Sequence, residues 1–200
     1  MDILEAFNQA LFLDINATMA TPAWLVHMAV LIADFLIYLI PLLLVGMWLS
    51  GSAKQRNLAL QACLVTMLAL GLNQLIGLVW QHPRPFMIGL GHTFLPHAPD
   101  SSFPSDHVTI FSSIGLTLLS GRACRLGLPT LLAGLAVAWA RVFVGVHFPL
   151  DMIGALAIAC AAYAMMAPLW HLGGPAVTRA AVELYRTLFA RPIGLGWLRP

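Results

Sequence analysis

Residues 23–49 read AWLVHMAVLIADFLIYLIPLLLVGMWL, an apolar run in which Asp34 is the only Asp, Glu, Lys or Arg. A helix needs about 20 apolar residues to cross about 30 Å of hydrocarbon, because each residue advances it by about 1.5 Å. The stretch therefore predicts a transmembrane helix. Four further apolar segments follow it, at residues 57–80, 105–120, 126–146 and 149–170. The segment 105–120 is the short one, and we expect it to depend on neighbouring helices.

The composition of the whole chain agrees with a membrane protein. Of its 200 residues, 60% are hydrophobic and 9% are charged, and its mean hydropathy is +0.86. Soluble domains carry about 25% charged residues. The three cysteines, Cys63, Cys124 and Cys160, lie far apart and indicate neither a disulfide framework nor a metal site. The fold class predicted is all-α, a polytopic membrane bundle of about five transmembrane helices with interfacial helices at the termini.

Both ends of the chain carry amphipathic patterns. Apolar residues recur at helical spacing within residues 2–13 and 175–190. These patterns predict helices that lie on the membrane surface, with terminal helices packed against the bundle as the alternative. We expect a single domain in three parts: an interfacial N-terminal segment at 1–20, a transmembrane bundle at 23–170 and a cytoplasmic tail at 173–200.

The positions of lysine and arginine predict the orientation of the bundle. All but two of them fall on one side of a five-span arrangement, at Lys54, Arg56, Arg122, Arg125, Arg179, Arg186, Arg191 and Arg199. Basic loops face the cytoplasm, so the N-terminus is expected outside. Arg84 and Arg141 fall on the outer side against this rule, which favours a specific function for them.

Three polar clusters share the outer side. They read QHPRPF at 81–86, PSDH at 104–107 and RVFVGVHFPLD at 141–151. Each cluster lies at the outer end of a predicted span. Because the spans belong to one small bundle, we expect the three clusters to meet.

Two arginines and the start of a helix on the outer side could bind a phosphate. Arg84 and Arg141 carry planar guanidinium groups whose paired N–H donors match phosphate oxygens. Ser105 and Asp106 follow Pro104 at a predicted helix start, where free N–H groups and the helix dipole favour an anion. The alternatives are arginines that extend to the membrane interface and side chains that only cap the helix.

Two histidines and an aspartate complete the set. His107 and His147 supply one nucleophile and one acid, since imidazoles change charge near neutral pH. Asp151 is a residue type that can hold an imidazole in one tautomer. Pro149 is expected to begin the last span, so His147 lies just ahead of that helix, and spacing alone leaves its contact with Asp151 open.

The three clusters resemble the signature motifs of the type-2 phosphatidic acid phosphatase (PAP2) superfamily, roughly KxxxxxxRP, PSGH and SRxxxxxHxxxD. Arg84 matches the first motif, residues 104–107 match the second, and Arg141, His147 and Asp151 match the third. The resemblance extends from about residue 73 to residue 151.

Three positions depart from the family pattern. Gly77 stands where the first motif has lysine, Asp106 where the second has glycine, and Ala140 where the third has serine. The variants FPSDH and RVFVGVHFPLD resemble the bacitracin-resistance branch, whose members are undecaprenyl-diphosphate phosphatases. Asn73, Gln74, Gln81 and His82 are candidates to replace the missing lysine.

The resemblance implies a reaction without metal or other cofactor. His147 would attack the terminal phosphorus and form a phosphohistidine, while His107 would protonate the leaving oxygen and then activate water. Arg84, Arg141 and the N–H groups near Ser105 and Asp106 would stabilise the phosphoryl oxygens. The implied partners are a lipid diphosphate and membrane lipids, with no nucleic acid. The implied place is a bacterial inner membrane with the site facing the periplasm, in lipid carrier recycling for cell-wall synthesis.

Three side chains outside the motifs carry separate expectations. Asp34 is costly within a span, and we expect it to be protonated or paired with Asn73 or Gln74, with a possible auxiliary role in the site. His92 and His97 are expected to be solvated loop residues.

Other functions stay open at this stage. A PAP2 lipid phosphatase or phosphotransferase acting on phosphatidic acid, phosphatidylglycerophosphate or a lipid A phosphate would need the same residues. A transporter would use Asp34, Arg84 and Arg141 to line a polar path, with the histidines serving only in binding or gating.

Overall fold

A computed structural model describes residues 3–50 and 52–200, and the regular structure within those ranges is entirely helical, as predicted. Asp2, where the predicted first helix begins, lies outside the described residues. The α-helices are α1 (Ile3–Ile15), α2 (Ala23–Phe35), α3 (Leu39–Ser50), α4 (Ala53–Val79), α5 (Asp106–Ser120), α6 (Cys124–Phe143), α7 (Pro149–Leu188) and α8 (Ala190–Gly194). Short 3-10 turns occupy Leu36–Tyr38 and Pro85–Ile88.

Among the described residues, four helical segments are long and apolar enough to cross a membrane: Ala23–Leu49, α4, α6 and α7. The predicted segment 105–120 becomes α5, whose 15 residues extend about 22 Å, less than the hydrocarbon thickness. This helix packs against α4, α6 and α7 and buries Phe111, Ile114 and Leu118. It therefore forms the centre of the bundle, which agrees with its expected dependence on neighbouring helices.

The first predicted span is interrupted rather than continuous. Its α-helical geometry gives way to a 3-10 turn at Leu36–Tyr38, and Pro41 follows in the first turn of α3. Proline has no N–H to donate to the carbonyl four residues earlier, and its ring crowds that carbonyl. The local change of helix type is the ordinary response to such a residue.

The last span is longer than predicted, and the separate surface helix expected at 175–190 is wrong. Helix α7 continues for 40 residues through Pro168 and Pro175. Asn57 of α4 holds it on both sides of Pro175, because its Oδ1 accepts a hydrogen bond from Trp170 Nε1 at 3.1 Å and its Nδ2 donates to Thr178 Oγ1 at 2.8 Å. These two hydrogen bonds fasten α7 to α4 on either side of Pro175.

Helix α1 lies at the opposite end of the bundle from Asn57. Its buried residues are Asn8, whose Oδ1 accepts from the N–H of Leu150 at 3.1 Å, and Phe12, whose ring contacts Phe148. The apolar side chains of Ile3, Leu4 and Phe7 remain exposed, as expected for a helix that also faces lipid. The helix is therefore packed on the bundle, at the end where the three polar clusters lie.

Candidate active site

A cavity of about 560 Å³ opens at the α1 end of the bundle. Its lining includes side chains from all three polar clusters: Arg84, Asp106, His107, Arg141 and His147. The predicted meeting of the clusters is therefore observed. It follows from topology, since α4 ends, α5 begins, α6 ends and α7 begins at this end.

His147 and Asp151 form a buried pair at the junction of α6 and α7. The Nδ1 atom of His147 lies 3.1 Å from Asp151 Oδ2, and the same oxygen accepts the N–H of Phe148 at 2.8 Å. Asp151 is the third residue of α7, so its side chain reaches back over the N-terminus of the helix and fixes the residues just before it. The contact left open by the sequence is thus made, and it orients the imidazole with Nε2 available.

Burial governs the charge of His147. Its side chain is 3% exposed, and this desolvation lowers the pKa of His147 to about 4. The hydrogen bond and charge of Asp151 raise the pKa, while Arg141 and Arg84 lower it further. The imidazole is therefore neutral at pH 7, which is the nucleophilic form.

A glycine and an asparagine shape the turn that carries His147. Gly145 has φ +85°, and a Cβ atom there would overlap the carbonyl oxygen of His92. Asn16, just after α1, donates from Nδ2 to His92 O at 2.9 Å and to Phe143 O at 3.0 Å, and its Oδ1 accepts the N–H of His92 at 2.7 Å. Asn16 thus ties the outer loop to the end of α6, a function that nothing in the sequence pattern indicates.

Arg84 reaches the nucleophile directly. Its Nη1 lies 3.1 Å from His147 Nε2 and donates to Val146 O at 2.8 Å. Its Nε donates to Asp100 Oδ1 at 2.8 Å, and its Nη2 donates to Ser101 O at 3.2 Å. The side chain is 5% exposed, so these partners offset the cost of burying its charge. It does not extend to the membrane interface.

Arg141 approaches the same cavity from α6. Its Nη1 donates to Ala33 O of α2 at 3.1 Å, and its Nη2 lies 3.0 Å from His97 Nε2. Its Nε is buried and has no hydrogen-bond partner. A buried donor without an acceptor is costly, so this N–H is suited to an incoming oxygen.

His97 is not the solvated loop residue that we expected. Its ring lines the cavity, contacts Arg141 through Nε2 and lies 6.2 Å from the His147 ring, centroid to centroid. Burial lowers the pKa of His97, and the nearby charge of Arg84 lowers it further. Prolines at positions 96 and 99 flank His97 in the sequence. Because proline fixes its own φ, they indicated a backbone of restricted conformation around His97. The side chain of His92, by contrast, is exposed as expected.

The start of α5 differs in detail from the prediction. Ser105 is the N-cap residue by position, but its side chain makes no capping bond and its buried Oγ has no partner. Its N–H donates to Asp151 O at 3.4 Å and is therefore already used within the protein. The capping function expected for Ser105 is wrong. Asp106 and His107, in the first turn of α5, are the residues of this helix that line the cavity.

Ser102 is a second residue that sequence reasoning missed. It is fully buried, and its hydroxyl donates a hydrogen bond to Asp151 Oδ2. The same Oγ lies 3.3 Å from His147 Nδ1.

Comparison with known proteins identifies the family. The model of the PAP2 superfamily matches residues 58–173. The YbjG protein of Escherichia coli (strain K12) is 36% identical over 197 residues, which cover 98% of this chain and 100% of that protein. The chain belongs to the PAP2 superfamily. Another PAP2 relative, undecaprenyl-diphosphatase BcrC of Bacillus subtilis (strain 168), is 38% identical over 130 residues, covering 65% of this chain and 67% of that protein.

A solved PAP2 structure shares the fold. The crystal structure of a transmembrane PAP2 type phosphatidylglycerolphosphate phosphatase from Bacillus subtilis matches with a TM-score of 0.62 at 19% identity. The match covers 84% of this chain and 87% of that chain. The all-helical membrane architecture is therefore that of the PAP2 family.

Two departures from the PAP2 motifs are linked in space. Asp106 Oδ1 accepts a hydrogen bond from Asn73 Nδ2 at 2.8 Å, and its Oδ2 lies 3.5 Å from Gln74 Nε2. Gly77, at the lysine position, lines the cavity, and a Cβ there would meet only Ser101 Cβ, at 3.7 Å. Asn73 and Gln74 therefore hold Asp106, which stands where the second motif has glycine. The space beside Gly77, where the first motif has lysine, stays open to the cavity.

The two remaining auxiliary candidates are His82 and Asp34. His82 lines the cavity and contacts Glu5 Oε2 through Nε2 at 3.4 Å, with its Nδ1 buried and unpartnered. Asp34 is exposed on α2, and the pairing with Asn73 or Gln74 that we expected is wrong because both amides face Asp106. Its neighbour Ala33 is the residue that meets the site, since its carbonyl accepts a hydrogen bond from Arg141 Nη1 at 3.1 Å.

Proposed function

We propose that this PAP2 protein hydrolyses undecaprenyl diphosphate to undecaprenyl phosphate and inorganic phosphate. The observation that carries the proposal is the 3.1 Å contact between Arg84 Nη1 and His147 Nε2. A terminal phosphate that takes this arginine donor places its phosphorus beside the nucleophilic nitrogen. The name of the Bacillus subtilis relative supports the substrate.

The first step transfers the phosphoryl group to the enzyme. The Nε2 lone pair of His147 attacks the terminal phosphorus, and the N–P bond forms as the bond to the bridging oxygen breaks. The electron pair leaves on that oxygen, which becomes part of undecaprenyl phosphate and receives a proton from His107. Asp151 keeps the proton of His147 on Nδ1 and stabilises the positive charge that the phosphorylated imidazole acquires.

The second step releases the phosphate. His107 takes a proton from a water molecule, whose oxygen attacks phosphorus as the P–N bond breaks and its electrons return to Nε2. In both steps the equatorial oxygens carry negative charge, which Arg84, Arg141 and the first-turn N–H groups of α5 stabilise. The unpartnered Nε of Arg141, which lines the cavity, is a donor that such an oxygen would satisfy.

The direct test is phosphate release by the purified protein. Undecaprenyl diphosphate is compared with phosphatidic acid, phosphatidylglycerophosphate and a lipid A phosphate, with and without a lipid alcohol as acceptor. We expect undecaprenyl diphosphate to have the highest kcat/KM and water to be the acceptor. Equal rates on the other lipids would refute the substrate assignment, and phosphoryl transfer to the lipid alcohol would make the protein a phosphotransferase.

The nucleophile has its own test. His147→Ala should abolish turnover and should not accumulate a phosphoenzyme on brief exposure to labelled substrate. Retained turnover in this variant would remove His147 from the proposed function. Solute flux in liposomes together with a lack of phosphatase activity would favour the transporter alternative.

We also propose that the protein resides in a bacterial inner membrane with the cavity facing the periplasm. The support is the placement of basic residues at the other end of the bundle, such as Lys54 and Arg125. A single cysteine at the exposed position Ala98, in a background without the native cysteines, should react with a membrane-impermeant maleimide in spheroplasts. Protection until the membrane is lysed would reverse the orientation.

A further inference from the structure

Ser102 lies behind the site rather than in it. Its side chain is fully buried and does not line the cavity, so it is out of reach of the substrate. Its N–H donates to His82 O at 2.8 Å, which fixes the backbone between the first two polar clusters. Its hydroxyl contacts Asp151 Oδ2 and His147 Nδ1 at once.

We propose that Ser102 is a positioning residue for the nucleophile, acting through Asp151. This inference rests on the function proposed above, since it concerns the rate at which His147 attacks phosphorus. The proposal states that the serine hydroxyl holds the carboxylate in place and thereby holds the proton of His147 on Nδ1.

Ser102 donates its hydroxyl hydrogen bond to a different kind of acceptor from three buried threonines in the helices. Thr66, Thr117 and Thr130 donate to the backbone carbonyl four residues earlier, at 2.7 to 2.8 Å, which satisfies a hydroxyl within its own helix. Ser102 instead donates to a carboxylate 49 residues away in the chain. A hydrogen bond to a charged acceptor is stronger than one to a carbonyl, so this contact constrains both partners.

Three donors converge on one oxygen of Asp151. They are the N–H of Phe148 at 2.8 Å, Nδ1–H of His147 at 3.1 Å and the hydroxyl of Ser102. A carboxylate oxygen that accepts several hydrogen bonds is held in one position by its donors. It therefore orients the proton on His147 without removing it.

The consequence for the reaction lies in the nucleophilic nitrogen. With the proton held on Nδ1, Nε2 keeps its lone pair and points to the cavity, where Arg84 contacts it. Without Ser102, Asp151 can rotate and the imidazole can exchange tautomers, so a smaller fraction of molecules is ready to attack. Phosphate binding should not change, because the Ser102 hydroxyl contacts only Asp151 and His147, and the backbone bond from Ser102 to His82 does not depend on that hydroxyl.

The experiment compares three variants of the full-length protein. Ser102→Ala removes the donor, and Ser102→Cys keeps a weaker donor of similar shape. Ser113→Ala is the matched control, because Ser113 is also fully buried but its Oγ has no partner. The measurements are kcat and KM for undecaprenyl diphosphate and the affinity for orthovanadate, which also counts the folded sites.

We expect Ser102→Ala to lower kcat per folded site by about 10- to 100-fold, as the loss of one hydrogen bond to a charged group predicts. KM and orthovanadate affinity should stay near those of the unaltered protein. Ser102→Cys should recover part of the loss, and Ser113→Ala should have no effect on kcat.

Two results would overturn the positioning function. One is a kcat for Ser102→Ala within about twofold of the unaltered protein, a change too small for a lost charged hydrogen bond. The other is a parallel loss of orthovanadate affinity, which would mean that the serine only maintains the fold of the site. Failure of the proposed function is a separate result, because it would appear as inactivity of the unaltered protein on undecaprenyl diphosphate and would remove both proposals.

Discussion

The substitution Gly145→Ala should move the His147 imidazole, although it lies two residues away in the turn. Gly145 has φ +85°, a backbone conformation that costs alanine roughly 1–2 kcal/mol. Its added Cβ would overlap His92 O and lie 3.1 Å from Asn16 Nδ2. Restoring an ordinary contact distance requires relative movement of about 1 Å between the turn and the loop. Since His147 follows two residues later, we expect the imidazole to move by a similar amount.

The expected magnitude follows from that displacement. A shift of about 1 Å in a reacting group can lower a rate about 100-fold, so kcat/KM of Gly145→Ala should fall by about that factor. Gly89→Ala is the matched control, because Gly89 has φ +68° but a Cβ there would meet nothing within 4 Å. That variant has the same kind of backbone cost without the collision, and it should lose stability while keeping its rate.

The assay measures initial phosphate release from undecaprenyl diphosphate in detergent, normalised to the number of sites that bind orthovanadate. Thermal unfolding of both variants in the same detergent reports the shared backbone cost. Equal rate losses in the two variants would show that positive φ alone is responsible. An unchanged rate in Gly145→Ala would refute the argument that the turn positions His147.

Three further predictions concern charge and metal. Because the pKa of His147 is lowered to about 4, its contribution to the acid limb of kcat/KM should appear near pH 4 rather than near 6.5, and an acid limb set by a group at 6.5 in the free enzyme would contradict this. Asp100→Asn should bind orthovanadate roughly two- to fivefold more tightly, since it removes a half-exposed carboxylate from Arg84; weaker inhibition would contradict it. Treatment with EDTA should leave phosphate release unchanged, as the PAP2 resemblance implies, and a loss restored by a divalent cation would overturn that implication.

The apolar helices of the bundle were predictable because the bilayer imposes a strong pattern. Long apolar runs and the uneven placement of basic residues gave the spans and put three polar clusters together at one end. The continuity of α7 through Pro175 was not predictable, since it depends on Asn57 of another helix. A proline signals the loss of a hydrogen bond, but sequence alone does not tell whether neighbouring helices compensate.

The site was predictable where a residue's chemistry and its motif coincide, as for Arg84 and His147. Residues that act through others were missed. Ser102 and Asn16 make their contacts with groups 49 and 76 residues away, and a serine or an asparagine has no spacing rule that announces such partners. His97 was misjudged for the same reason, because a histidine in an irregular loop looks solvated until the loop's path is known.

The charged residues around the cavity indicate that the substrate phosphate displaces Asp100 when it binds. Asp100 and Asp106 line the cavity together with Arg84 and Arg141, and Asp151 lies behind it on His147. Asp151 is held by three donors, and Asp106 by two side-chain amides at a helix N-terminus, so neither can leave cheaply. The side chain of Asp100 is 62% exposed on a loop and loses little when it returns to water. We therefore expect a phosphate oxygen to replace the Asp100 carboxylate on Arg84. Because one anion leaves as another arrives, a diphosphate can bind although carboxylates already surround the arginines.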